Sequence, residues 1–389
     1  MRLPHRGVVA GCALGVASGW NFGNVGAVAS ELAGSYGVGL AAIGLLTTAL
    51  IVTHLAVQIP GGKASDRFGP ARAGAAALAV VALGNAVTLI APALALGIAG
   101  RAVAGIGTGL AFIAGSALVR ESGGSPFAQG VFGGIGLGAG GVALGVVPQL
   151  EGAAGWRAPF WSALAVAGAA AALVLATRAV AVTRRATPPA RGGVLRDRRL
   201  YRLAVLYSVS YGLGVVLANW VVELLQRHSE LSDGAAAGVG SLTLLLLVGS
   251  RPLGGWLLRA HPRRARLVVA GSLVAGSAGT LALVAATPVP VAVLGALVVG
   301  IAGGLPFSPA FTGAALVRPD APAAAVAVVN SAANLVVLVG TPLVGLTFAL
   351  PGGGRIGFAA IAAAWLAGLL FLPGERALGV RRDGTPASP

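Results

Sequence analysis

Gly61-Gly62-Lys63-Ala64-Ser65-Asp66-Arg67-Phe68-Gly69-Pro70 is a short polar stretch held between two long apolar runs, 38–60 and 74–91. A helix needs about 20 apolar residues to cross the hydrocarbon core of a bilayer. Both flanking runs are close to that length. Lys63, Asp66, Arg67 and Arg72 therefore gather where two such runs meet, and 61–72 is expected to be a charged loop at a membrane surface. Charge of this density does not arise by drift in a chain so poor in charge elsewhere.

Composition extends the reading to the whole chain. Of 389 residues 56% are hydrophobic and 10% charged, and the mean hydropathy is +0.88. A soluble domain carries roughly 25% charged residues, so too few polar groups remain here to cover a water-facing surface. Twelve apolar runs are long enough to span: 7–30, 38–60, 74–91, 94–119, 128–148, 156–177, 201–225, 235–258, 266–287, 289–316, 323–350 and 355–373. Long continuous runs, as opposed to short alternating ones, predict helices and not a barrel. The expected fold is an all-α membrane protein with twelve transmembrane helices.

The net charge of +16 raises the possibility of a nucleic-acid partner, and its placement argues against one. An even number of spans puts both termini on one side, taken as cytoplasmic. Then 22 of the 27 Lys and Arg fall in cytoplasmic segments, Arg157, Arg227 and Arg355 fall outside, and Arg101 and Arg251 lie within spans. This is the positive-inside bias that sets orientation. The acids divide six to five, without bias. Arg2 and Arg6 before an apolar run, with Ala27-Val28-Ala29 beyond it, imitate a secretory leader, but its removal would leave eleven spans and reverse this charge pattern. Arginine used almost to the exclusion of lysine suggests a GC-rich bacterial genome, hence an inner-membrane location. The single cysteine, Cys12, allows no intrachain disulfide.

The chain also repeats itself. Gly61-Gly62 corresponds to Gly254-Gly255 at an offset of 193. Gly105-Ile106-x-x-Gly109-Leu110-x-Phe112 returns as Gly300-Ile301-x-x-Gly304-Leu305-x-Phe307, an offset of 195. Ala117-Leu118-Val119-Arg120 returns as Ala315-Leu316-Val317-Arg318, Pro148 matches Pro342, and Gly155-x-Arg157-x-x-Phe160 matches Gly353-x-Arg355-x-x-Phe358. Five pairs in order make two six-helix halves, 1–177 and 201–373. The stretch 178–200, with seven arginines and Pro188-Pro189, is expected to be a mobile cytoplasmic linker in reach of anionic lipid. The tail 374–389 is expected to be disordered.

The pattern Gly-x-x-x-Asp-Arg-x-Gly at Gly62–Gly69, followed by Arg72, resembles the signature loop of the major facilitator superfamily. In that family it joins spans 2 and 3 on the cytoplasmic side. The resemblance implies two parallel six-helix repeats with a substrate site between them. It implies a conformational latch at Gly62, Asp66, Arg67, Gly69 and Arg72, against the plainer reading of an ordinary short loop. The second-half copy has Arg259 at the place of Asp66, so the latch is expected in the first half alone. Arg101-x-x-x-Gly105-x-Gly107 resembles a second motif of the family, linked to proton or substrate steps; an arginine that snorkels to the interface is the other reading. Arg251-Pro252-Leu253-Gly254-Gly255-Trp256 resembles the nitrate/nitrite porter branch, where arginines of spans 2 and 8 clasp a planar anion. Here Gln58 stands at the first-half position, so one arginine of that clasp is missing. Gly136, Gly140 and Gly141 fit a drug-antiporter pattern in span 5, but Leu137 stands where proline belongs.

Spans 1, 4, 7 and 10 line the cavity in this family. Polar and aromatic groups at helical spacing on or near them are candidate substrate ligands: Asn21, Asn24, His54, Gln58, Arg101, Tyr211, Arg251, Phe307, Phe311 and Asn334, the polar ones equally able to join helices by hydrogen bonds. No nucleotide loop, metal-spaced cluster or nucleophile–base set is present, so neither an enzyme nor a cofactor is expected. No Asp or Glu lies in a span interior, which argues against a simple carboxylate proton relay. The sequence thus predicts a secondary or facilitative transporter, a functional monomer in the lipid bilayer. Its expected substrate is a small anion of the nitrate, nitrite or cyanate kind; the alternative is efflux of an apolar drug-like compound.

Overall fold

The computed structural model describes residues 5–176, 193–229, 231–285 and 288–378. Among them every regular element is helical. Helices satisfy all their backbone groups internally, which the bilayer demands. Twelve helical passages follow the twelve apolar runs: α1 (His5–Gly23), α2 (Leu40–Phe68), α3 (Pro70–Thr88), α4 (Leu94–Glu121), α5 (Pro126–Val146), α6 (Ala158–Ala176), α7 (Arg198–His228), α8 (Asp233–Ala260), α9 (Ala265–Ala285), α10 (Val289–Val317), α11 (Pro322–Leu346) and α12 (Arg355–Ala367). Among the described residues, nine helical stretches are long and apolar enough to cross a membrane. One of these, 126–176, holds α5 and α6 in succession, and Arg355–Phe371 is a shorter apolar helix.

Three boundaries differ from expectation, each for a local reason. α1 stops at Gly23, not near residue 30. The Asn24 side chain accepts from Val25 N and donates to Pro159 O, both at 2.9 Å. That gives the backbone an alternative to the helix, and a short helix, Ala29–Tyr36, follows. α2 runs through Pro60 as far as Phe68, so most of the expected loop is helix. Only Gly69, at φ +90°, separates it from Pro70 at the start of α3. A left-handed glycine followed by proline at the first helical position is a sharp stop and restart. α7 begins at Arg198. Asp197 caps it by accepting from Arg199 N at 3.0 Å, and the hydrogen-bonded Arg199 guanidinium holds the Asp197 carboxyl below its ordinary range.

Two helices are interrupted where aromatic residues cluster. α7 contains a π-turn over Ser208–Gly212, and α10 breaks at Leu305-Pro306 before resuming at Phe307. A π-turn inserts an extra residue into the helix and re-aims the side chains beside it.

The chain divides into two compact units. Unit 1 comprises Met1–Gly124, Ile135–Gly192 and Asp320–Ala327; unit 2 comprises Ser125–Gly134, Gly193–Pro319 and Val328–Pro389. The first turns of α5 belong to unit 2, and those of α11 to unit 1. Linker residues 177–192 and tail residues 379–389 lie outside the described residues. The adjoining parts, expected to be unstructured, are folded. Val194 and Leu200 are buried, and Glu375–Leu378 forms a turn with Leu378 buried.

The repeat is visible in the packing. In unit 1, a Cβ on Gly105 would lie 2.3 Å from Leu50 O, and one on Gly109 2.4 Å from His54 O. In unit 2 the equivalents Gly300 and Gly304 approach Thr243 O and Leu247 O at 2.5 and 2.4 Å. The α3–α4 contact of Gly84 with Gly100 likewise returns in α9–α10 as Gly279 with Gly295. Such approaches admit no side chain, which is how small residues let membrane helices pack closely. The fold is thus two six-helix pseudo-repeats.

Candidate functional site

The end of α2 meets the start of α11 within unit 1. Pro322 has no N–H, and the next two amides, Ala323 N and Ala324 N, fall among the first-turn donors that have no partner inside a helix. Both donate to Asp66, to Oδ1 and Oδ2 respectively, each at 2.9 Å. A carboxylate at this place also faces the positive end of the helix dipole. Gly62 permits the contact, because a Cβ there would sit 2.6 Å from Ala324 Cα. The partner of the expected latch carboxylate is thus a helix N-terminus. Arg67 and Arg72 are exposed, with Arg67 lying over the Phe68 ring at 5.2 Å. Gly69 supplies the turn.

Unit 2 repeats the geometry without the carboxylate. Gly255 of α8 packs on the first turn of α5, where a Cβ would lie 2.1 Å from Pro126 O. Arg259, at the place of Asp66, is exposed, and α5 is capped locally by Ser125, which accepts from Ala128 N at 3.3 Å.

Arg101 is completely buried within unit 1 and does not snorkel. Its Nη1 donates to Asn21 Oδ1 at 3.3 Å and its Nη2 to Asn21 O. Asn85 of α3 donates to the same Oδ1 at 3.1 Å, and Asn21 Nδ2 donates to Ala17 O at 2.9 Å. This amide triad ties α1, α3 and α4 together. Asn85 was not singled out from sequence; its only signal is an amide deep in an apolar run. Asn24 spends both its polar atoms on the end of α1 and on Pro159. Trp20 donates to Ser162 Oγ at 3.0 Å. His54 is buried, with Nδ1 3.0 Å from Thr108 Oγ1 and its ring edge-on to Phe22 at 4.9 Å. Gln58, one turn further along α2, is completely buried.

Unit 2 holds a different arrangement. Arg251 of α8 is 2% exposed. Its guanidinium carbon lies 4.6 Å from the ring centres of both Tyr211 and Phe307. Tyr207 stacks on Tyr211 at 4.9 Å and 14°, and Phe307 lies 4.2 Å from Phe311. Tyr207 is edge-on to Phe307 and Phe311 at 5.9 and 5.3 Å. The π-turn of α7 places the two tyrosines, and the break in α10 places the two phenylalanines. Cation–π contact of this kind contributes about 2 kcal/mol or more when desolvated. Arg251 Nη1 donates to Gly133 O at 2.6 Å, and Nη2 to the Tyr207 hydroxyl at 3.4 Å. Nε is buried without a partner. Arg251, Tyr211, Phe307 and Phe311 were expected at the site and are brought together here. Tyr207 and the Gly133 carbonyl complete the cluster. Asn334, on α11, is half-buried.

Neither Arg101 nor Arg251 has a carboxylate within ion-pair distance among the described residues; ion pairs there include Arg120–Glu121, Arg199–Asp197 and Arg227–Glu223. Nor do the described residues group His, Cys, Asp and Glu into a metal-binding set.

Two six-helix repeats with buried cationic and aromatic groups at span depth define a membrane transporter fold. The sequence matches the profile of the Major Facilitator Superfamily over residues 11–341. No protein of curated function matches it. Three solved structures illustrate the likeness. The E. coli fucose:proton symporter FucP is 14% identical with a TM-score of 0.71, over 95% of this chain and 98% of that one. The proton:xylose symporter XylE, solved with 6-bromo-6-deoxy-D-glucose, is 13% identical with a TM-score of 0.73, over 95% and 94%. The human organic anion transporter MFSD10 (TETRAN) is 17% identical with a TM-score of 0.69, over 96% and 100%. At these identities the likeness is one of fold. The chain belongs to the Major Facilitator Superfamily, a family of membrane transporters.

Proposed function

We propose that this protein is a secondary transporter that carries a small anion by alternating access, with Arg251 as its anion-binding group. The reading is carried by the state of Arg251: it is buried without a carboxylate partner, its Nε is unsatisfied and its Nη2 reaches only Tyr207 at 3.4 Å, whereas Arg101, whose Nε is likewise unsatisfied, has both Nη atoms bound to Asn21. A buried charge costs several kcal/mol unless it is paired, and a bound anion supplies the missing pair. The organic anion transporter among the solved relatives lends the class some support. Gln58 in place of a second arginine argues against the two-arginine clasp of nitrate porters, so the nitrate, nitrite and cyanate candidates rest on one guanidinium. In this reading Asp66 is a latch whose cap on α11 is made in one transport state and broken in the other. Both termini are cytoplasmic, the membrane is the inner membrane, and the working unit is a monomer.

The aromatic cluster favours a second reading, efflux of an apolar compound in which the arginine only orders the rings. Proteoliposome assays separate the two. Uptake of labelled nitrate, cyanate or a small carboxylate that is lost in Arg251→Gln supports the anion reading. Export of a neutral dye that persists in Arg251→Gln supports efflux.

A further inference from the structure

We infer that the anion taken at Arg251 is a monocarboxylate joined to a flat, unsaturated body, of the kind benzoate represents, and not an inorganic oxyanion. This rests on the reading of Arg251 as the anion-binding group. The inference starts from which of its donors remain open. Nη1 is taken by Gly133 O at 2.6 Å. The rings of Tyr211 and Phe307 lie against the guanidinium at 4.6 Å each. That leaves one edge, formed by the unpartnered Nε and by Nη2, whose bond to Tyr207 is long at 3.4 Å. The N–H bonds of Nε and Nη2 on that edge point the same way, the fork that a carboxylate meets with two parallel hydrogen bonds. Tyr207 accepts from Nη2, which leaves its own O–H free to donate to the same carboxylate.

The surroundings select the rest of the ligand. Tyr207, Phe307 and Phe311 are buried, and they surround the fork with ring faces and edges. An inorganic oxyanion would give up its hydration among these rings and gain only the fork. A flat apolar body gains stacking and edge contacts as well.

The test is isothermal titration calorimetry on the full-length protein in nanodiscs with benzoate, acetate, nitrate and benzamide. Benzoate is expected to bind about tenfold more tightly than acetate or nitrate. Arg251→Gln should abolish its binding, and Tyr207→Phe, which keeps the ring and removes the hydroxyl, should weaken it several-fold. If acetate or nitrate binds as tightly as benzoate and both are lost in Arg251→Gln, the flat-body inference falls and the anion reading stands. If benzamide matches benzoate and Arg251→Gln changes neither, both fall. No benzoate binding at millimolar concentration to protein that melts cooperatively also overturns the inference. Tyr207→Phe covers the case in which Arg251→Gln fails to fold, because an unchanged benzoate affinity there rules out the hydroxyl-assisted fork.

Discussion

Asp66→Asn isolates the charge of the cap on α11, because the two side chains are nearly the same size. The carboxylate accepts from Ala323 N and Ala324 N at 2.9 Å each, one oxygen to each amide. The asparagine amide keeps one oxygen and turns an NH2 toward the other donor. One of two charge-assisted bonds is lost outright, and the survivor becomes neutral. A hydrogen bond to a charged group contributes about 1.5–3 kcal/mol, and the dipole term acts in the same direction. Opening of the first turn of α11 should therefore become easier by about 1.5–3 kcal/mol, which is roughly ten- to hundredfold. Hydrogen exchange followed by mass spectrometry reads this directly in the peptide holding Ala323 and Ala324. The first turn of α5 is the internal control, since it is capped by Ser125 and not by a carboxylate. On the proposed latch, made in one transport state and broken in the other, transport should slow while membrane insertion is unaffected. Unchanged exchange at Ala323 and Ala324 in a correctly inserted variant would refute the reasoning and leave Asp66 an ordinary surface acid.

Four further outcomes can be checked, three of them from the same geometry. Arg101→Leu should lower the melting temperature, because Asn21 O and Oδ1 lose buried donors at a cost of about 1–3 kcal/mol. Arg251→Leu should melt within about 1 kcal/mol of wild type, since it removes an uncompensated charge, yet lose anion transport. Gly105→Leu places a Cβ 2.3 Å from Leu50 O and must part α2 from α4, so little folded protein is expected on detergent extraction and size exclusion. A fluorescent protein fused after Pro389 should glow and alkaline phosphatase at the same point should be inactive; the reverse would overturn the cytoplasmic placement of the termini.

The spans were legible because hydropathy alone decides them. The repeat was legible because close helix crossings exclude a Cβ, which leaves glycine at fixed spacing: Gly105 and Gly109 answer Gly300 and Gly304 at the same contacts. The continuation of α2 to Phe68 was not legible. Asp66 and Arg67 look like loop residues, and the amides that hold Asp66 lie 257 and 258 positions away. Asn85 escaped notice because no spacing links it to Asn21 and Arg101; three helices bring them together. Around Arg251 the side chains could be named from sequence, but the Gly133 carbonyl could not, because a backbone acceptor leaves no mark on composition. The π-turn that pairs Tyr207 with Tyr211 was hidden for a similar reason.

Arg101 and Arg251 break the repeat in opposite halves. At an offset of 195, Arg101 corresponds to the buried Ala296; at 193, Arg251 corresponds to the buried Gln58. A packing role shared by both halves would have kept both pairs alike. The differences in their surroundings assign them separate work. Arg101 has an unpaired Nε too, but it spends both Nη donors on Asn21, and Asn85 braces the same oxygen, so a ligand that takes two donors there must displace protein hydrogen bonds that join three helices. Arg251 meets rings and a single carbonyl, and the edge bearing Nε is still unpaired. A ligand that takes two donors displaces only the 3.4 Å contact with Tyr207 at Arg251, whereas at Arg101 it must break a bond to Asn21. This contrast supports the proposal that Arg251 is the binding group and Arg101 part of the scaffold. Melting temperature and transport should accordingly separate at Arg251 and fall together at Arg101.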